Sequence, residues 1–169
     1  MPRLMAMCLA AAILSGCAAN RRPAPPAPTM MATYTHADHA AHIGAGPTRI
    51  VGQAFLRQRG GGVVTCAGAL VFAYPDTPYF DGLMNYLQAG GSARDSAVSE
   101  HVAALGRATR CDARGDFILD NLPAADWIVM TEVTWVAGNW NQGGTLRKLV
   151  STRAAREAKV LLGEESLRR

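Results

Sequence analysis

Two clusters of residues in this chain are of the types that bind cations or move protons. Asp112, Asp116, Asp120 and Asp126 fall within CDARGDFILDNLPAADWIVM, residues 111–130, and His36, His39 and His42 fall within HADHAAH. A calcium loop needs oxygen ligands on alternate residues and a closing bidentate Glu, and the acidic stretch has neither. Its aspartates stand instead at turn signals, where a short carboxylate accepts hydrogen bonds from nearby backbone amides. The histidines recur every third residue. On a helix that spacing sets side chains about 60° apart, so two or three imidazoles could meet on zinc or copper. No cysteine accompanies them, and the stretch around them has the composition of a linker. A metal site there is the alternative to a chance His-rich segment.

Cysteine is the other reactive type. Cys8 lies in an apolar stretch, Leu4 to Leu14, which follows the positive Arg3 and is too short to cross a bilayer. The stretch ends in Leu14-Ser15-Gly16-Cys17, which resembles the lipobox of bacterial lipoproteins. That resemblance implies cleavage before Cys17, diacylglyceryl attachment to its sulfur and acylation of the new amine. The competing reading is an ordinary secretory signal with a chance cysteine. Each acyl chain adds about 0.8 kcal/mol per buried CH₂, so several chains anchor a protein stably. Ala18 stands where the inner-membrane retention signal of such proteins would be Asp, which points to the outer membrane, periplasmic face. Cys66 and Cys111 then form an even pair in an oxidising compartment, the setting for a disulfide. Two buried free thiols are the alternative.

The formal charge is +4, and the basic residues are mostly arginine, scattered without a block. Nucleic acid is therefore not an expected partner. No G-x-S-x-G, H-E-x-x-H, P-loop or Rossmann glycine pattern occurs, so neither an enzyme nor a cofactor is expected. His101 is the one histidine beyond the linker and is a poor general-base candidate.

These residues need elements to position them. Residues 1–16 read as signal peptide and 17–46 as a disordered tether rich in Pro, Ala and His. Residues 47–163 read as one folded domain and 164–169 as a tail. From Arg49 the apolar residues alternate, with Ile50, Ala54 and Leu56 on one face, and RGGG at 59–62 is a turn. Ala69 to Tyr74 is a strand that Pro75 ends. Thr77-Pro78 signals a helix start, Phe80, Leu83, Met84 and Leu87 follow at helical spacing, and Gly90 stops it. Asp95 is placed to cap a second short helix. A partly helical insert is thus expected at about 77–106. WIVMTEVTWVAG is a long strand with Trp127, Val129, Val133 and Trp135 on one face, GNWNQGG is a hairpin-like turn, and TLRKLVSTR and AKVLL close the set. About seven strands with regular turns predict an all-β, antiparallel sandwich.

The acidic stretch resembles the D-x-x-G-x-F-x-F-x-x-L-P-A-G-x-Y-x-V signature of the carboxypeptidase regulatory-like, or prealbumin-like, domain. Asp112, Gly115, Phe117, Leu119, Leu122, Pro123, Ala124, Trp127 and Val129 match it, and GQAFLRQRGGGVVTCAGALVFAYP looks like the family's first strands. Ala125 replaces the family's glycine and Trp127 its tyrosine. If that turn requires a positive φ, alanine costs about 1 kcal/mol or more, so the turn would be built differently. The resemblance implies a seven-stranded prealbumin-like sandwich that binds or scaffolds and does no peptidase chemistry.

Trp140, in the glycine-rich turn, is placed to stack on a sugar or enter a protein interface, unless it folds back on the sandwich edge. Tyr79 and Tyr86 would line a groove or form the helix's buried face. The expected partners are a membrane, through the lipid, and an envelope protein or glycan. Intact mass of the membrane-extracted protein checks the front end: a chain beginning at Cys17 with added acyl mass is expected. An unacylated chain cut elsewhere would overturn the lipobox reading.

Overall fold

The computed structural model describes residues 28–29, 32–92 and 96–168, so Cys17, the expected signal peptide over 1–16 and Asp95 lie outside it. Nine strands occur among the described residues, in two sheets. In the first, β1 (Thr48–Arg57) is central. It pairs antiparallel with β5 (Asp116–Leu122) and parallel with β8 (Glu157–Leu162), and its last residues pair with β2 (Val63–Thr65). The second sheet is antiparallel throughout, in the order β4 (Arg107–Arg110), β3 (Leu70–Pro75), β6 (Asp126–Ala137), β7 (Trp140–Ser151), β9 (Leu167–Arg168).

The alternation in β1 is the expected one: Ile50, Ala54 and Leu56 are buried between the sheets. They meet Val71, Phe117, Leu119, Trp127, Val129, Val133, Leu146 and Leu162. Gly52 shares that row because a Cβ there would lie 2.4 Å from the Phe117 ring. Three details depart from expectation. The sheets hold nine strands among the described residues where about seven were expected. The β1–β8 pair is parallel. The tail is also part of the fold, since Ser166 is buried and Leu167 packs on the core as Leu146's cross-strand partner.

The insert is helical, as its signals predict. Thr77 caps α2 (Pro78–Gln88), its hydroxyl accepting from the Phe80 amide, and α3 (Ser96–Leu105) follows. Phe80, Leu83, Met84 and Leu105 bury against Ile128, with Tyr74 and Met130 beside them. The insert therefore covers part of the second sheet's outer face. Arg147 pins α2 to β7 through Asp81 at 2.6 Å. Among the described residues no helix is long and apolar enough to cross a membrane.

The expected tether through residue 46 is corrected over 32–46, which lies as a strap on the domain. Thr35 caps a short helix, α1 (His36–His39), and a 3₁₀ turn follows through His42. His39 is fully buried: its Nδ1–H donates to the Thr35 carbonyl at 2.7 Å, and Nε2 accepts from the Thr77 hydroxyl at 3.0 Å. His42 packs edge-on against Trp127, ring centroids 5.0 Å apart, and donates from Nε2 to the Asp126 carbonyl at 2.9 Å. Tyr34 stacks between His39 and His101. A composition of Ala and small polar residues reads as linker because periodicity cannot reveal histidines that pack against a distant element.

Cys66 and Cys111 are bonded and lie in the core. Asp112 acts as turn punctuation, its carboxylate accepting from the amides of Arg114 at 2.8 Å and Asp116 at 2.9 Å. Those backbone bonds hold its pKa below the ordinary aspartate value. The turn near Ala125 is indeed built without a positive φ there. The left-handed residue is Asn121, φ 58°, and buried Ala125 donates its amide to the Thr152 hydroxyl at 3.1 Å. Asparagine tolerates that region better than most side chains.

Two outcomes follow. The bond joins cysteines 45 residues apart, so replacing both by serine should cost about 4 kcal/mol by chain entropy. Chemical denaturation of the oxidised and double-serine forms reads this, and an unchanged midpoint would refute it. His42's Nδ1 is buried without a hydrogen-bond partner among the described residues. Burial, above all, holds its pKa below 6.5, with His39 and Arg153 adding to the effect and the Asp126 carbonyl and charge opposing it. Protons then bind the unfolded chain more readily than the folded one. Stability should fall as pH drops from about 6.5 towards the depressed folded value. Melting curves across that window should show the loss, and His42→Gln, which keeps the donor to Asp126, should flatten it. An identical slope in the variant would assign the response to other groups.

Candidate functional site

The β6–β7 hairpin is longer than the sheet it faces. Its pairing runs unbroken from Asp126 opposite Ser151 to Ala137 opposite Trp140. The turn is Gly138-Asn139, with Gly138 at φ 62°. The expected turn GNWNQGG is thus corrected: Trp140 begins β7 rather than sitting at the tip of a loop. Odd-numbered residues of β6 face the core as far as Val133. Trp135 comes next on that row, opposite Gln142, then Ala137 opposite Trp140. The pleat therefore sets all four on one face.

Near this end β1 stops at Arg57, and the chain turns through Gln58–Gly62, closed by the Gln58 amide donating to the Gly62 carbonyl at 2.7 Å. The core face of the hairpin is only partly covered there, with Trp135 packed at the edge of the core. Two hollows open beside Trp135, of about 410 and 310 Å³. Both are lined by Trp135, Arg59 and Gln142. Arg57 and Glu164 line the larger, and Gln58 lines the smaller. Trp135 is half-buried and Trp140 is 74% exposed. Gly143, at φ 90°, lies beneath the ring. A Cβ there would come within 3.0 Å of Trp135 Cζ3 and 2.1 Å of the Val133 carbonyl oxygen. Glu164 is held in place, Oε1 accepting from the Arg57 amide at 3.0 Å. An aromatic ring beside planar hydrogen-bonding groups suits a ligand with an apolar face and polar edges.

Other concavities are less composed. One of about 490 Å³ lies on the outer face of the second sheet, over Phe72, Met130, Glu132, Thr145 and Arg110. Phe72 stacks there on Tyr74 at 5.7 Å. Another, of about 350 Å³, borders the strap at Arg49, Asp120, Arg156 and Glu157. Its Arg49 is already paired with Glu157 at 2.6 Å.

The sequence candidates do not gather at the hairpin. His36 is exposed while His39 and His42 point to separate partners, so the three do not converge. Among the described residues no three His, Cys, Asp or Glu side chains are grouped for a metal ion. Tyr79 is corrected as a contact residue, for it is buried and its hydroxyl bonds His101 Nδ1 at 2.9 Å. Tyr86 is half-buried in the insert's apolar cluster. The aspartates disperse as well. Asp126 bonds Arg153 at 2.8 Å, and hydrogen bonds from Ser151 and then Arg153 lower its pKa. Asp76 has its pKa raised, first by burial and then by Asp81 and Asp126. Trp140 alone of the predicted contact residues lies at the hairpin end. Arg57, Arg59, Gln142 and Glu164 were not legible as site residues. The pairing of Trp135 with Gln142 was the available signal, and it needs the true position of the turn.

No protein-family model matches the chain, and no curated protein matches it. Among solved structures it is similar to a Pseudomonas aeruginosa protein regarded as a candidate carbohydrate-binding protein. That likeness has a TM-score of 0.63 at 23% identity and covers 79% of this chain and 99% of the other. At that identity the likeness shows a shared fold.

Proposed function

We propose that this chain is a non-catalytic binding module of the bacterial envelope that takes a saccharide at the Trp135 end of the β6–β7 hairpin. One observation carries the reading: a half-buried tryptophan lines a hollow together with Arg57, Arg59, Gln142 and Glu164. Sugars present a C–H face that packs on an aromatic ring and hydroxyl edges that pair with planar amide, guanidinium and carboxylate groups. The fold shared with a candidate carbohydrate-binding protein supports the reading. In the same proposal the Leu14–Cys17 motif provides a lipid anchor to the outer membrane, facing the periplasm, and an envelope protein is the other class of partner. The carboxypeptidase regulatory-like resemblance belongs to it too. Asp112 and the Leu122-Pro123 step, which bracket β5, support that part.

Titration of the mature soluble domain with a panel of oligosaccharides, read by tryptophan fluorescence and calorimetry, tests the site. Trp135→Ala should weaken binding roughly 30-fold, corresponding to about 2 kcal/mol. Phe72→Ala, on the outer-face hollow, should leave it unchanged. If no oligosaccharide bound, or if only Phe72→Ala mattered, the hairpin would not be the site.

A further inference from the structure

We propose that the hairpin groove selects acidic saccharides, those with a carboxylate on the ring, through Arg57 and Arg59. The inference rests on the saccharide reading of the same site and adds the class of ligand. Ion pairs among the described residues occupy Arg49, Arg147, Lys148 and Arg153. Arg57 and Arg59 have no ion-pair partner among those residues, yet both line the hollow beside Trp135. Glu164 is the one acid in either lining, and an oxygen of its carboxylate is engaged by the Arg57 amide. Two guanidiniums against one tethered carboxylate leave the groove net positive.

Guanidinium stays charged at any physiological pH, and its planar fork matches a carboxylate with two parallel N–H···O bonds. In a uronic acid the carboxylate leaves the ring edge near the ring plane. A ring stacked flat on Trp135 therefore sends its carboxylate sideways, towards the rim where Arg57 and Arg59 stand. Gln58 and Gln142 on the same linings can serve hydroxyls. Both arginines are exposed, so the attraction is screened by salt while stacking is not.

The test compares a uronic-acid oligosaccharide with its carboxyl-reduced, neutral counterpart, and adds phosphorylated and sulfated sugars and a non-sugar polyanion such as polyglutamate. The uronic acid should bind about tenfold or more tightly than its neutral form at low salt. That ratio should collapse towards one in Arg57→Gln/Arg59→Gln and at about 1 M salt, while the neutral ligand binds both proteins alike. Trp135→Ala should weaken both ligands. Equal binding of acidic and neutral forms, or a ratio untouched by the arginine changes, would overturn the acidic preference and leave the saccharide reading intact. Tighter binding of the phosphorylated or sulfated sugars would move the selection to another anion and overturn the carboxylate assignment. Polyglutamate binding as well as the sugars, unaffected by Trp135→Ala, would overturn both. Both arginines are exposed, and circular dichroism of the variants is the control for folding.

Discussion

The unbroken register between β6 and β7 is the constraint on which the rest of this molecule depends. Each strand is twelve residues long, and a slip of one position would exchange the two faces of β6. One face sends Trp127, Val129 and Val133 into the core, and its continuation presents Trp135 beyond the end of β1. The other face sends Ile128 and Met130 beneath the helices of the insert. A single ladder thus sets the core, the seat of the insert and the proposed groove together. Along the hairpin the inward-facing row passes from the buried core to Trp135, packed at its edge, and then to the opposite pair Ala137 and exposed Trp140.

Around that ladder the covering pieces are held by polar contacts that burial makes costly to break. The strap seats His39 between the Thr35 carbonyl and the Thr77 hydroxyl, and the same hydroxyl caps α2, so strap and insert share one residue. Gly46 lets the strap pass close to β5, since a Cβ there would lie 2.4 Å from the Leu122 carbonyl oxygen. Gly82 makes comparable room on α2 beside Ala32. Arg107 joins the strap as well, donating to the Gly44 carbonyl at 2.8 Å. The disulfide acts elsewhere, tying the chain before β3 to the chain before β5 across the length of the insert.

The acids show how local chemistry can look like a site without being one. Asp112 and Asp126 both have lowered pKa values, yet the causes are a turn's own amides in one case and Ser151 with Arg153 in the other. The histidines err in the opposite direction. Their spacing suggests a shared ligand, but His36 is exposed while the imidazoles of His39 and His42 are spent on different parts of the fold.

Local properties were readable from the chain alone because they depend on near neighbours. Alternation in β1 and β6, the Thr77-Pro78 helix start, the Asp112 turn and the pairing of two cysteines all follow from residues a few positions apart or from compartment chemistry. The position of the Gly138-Asn139 turn was harder, since GNWNQGG offers several glycines and only the partner strand selects among them. The parallel β1–β8 pair, the β9 strand in the tail and the buried strap came from tertiary structure, as did the gathering of Arg57, Arg59, Gln142 and Glu164 around Trp135. Each is a meeting of segments distant in sequence, decided by which surfaces remain to be covered once the hairpin register is set, and no pattern within one segment carries that information.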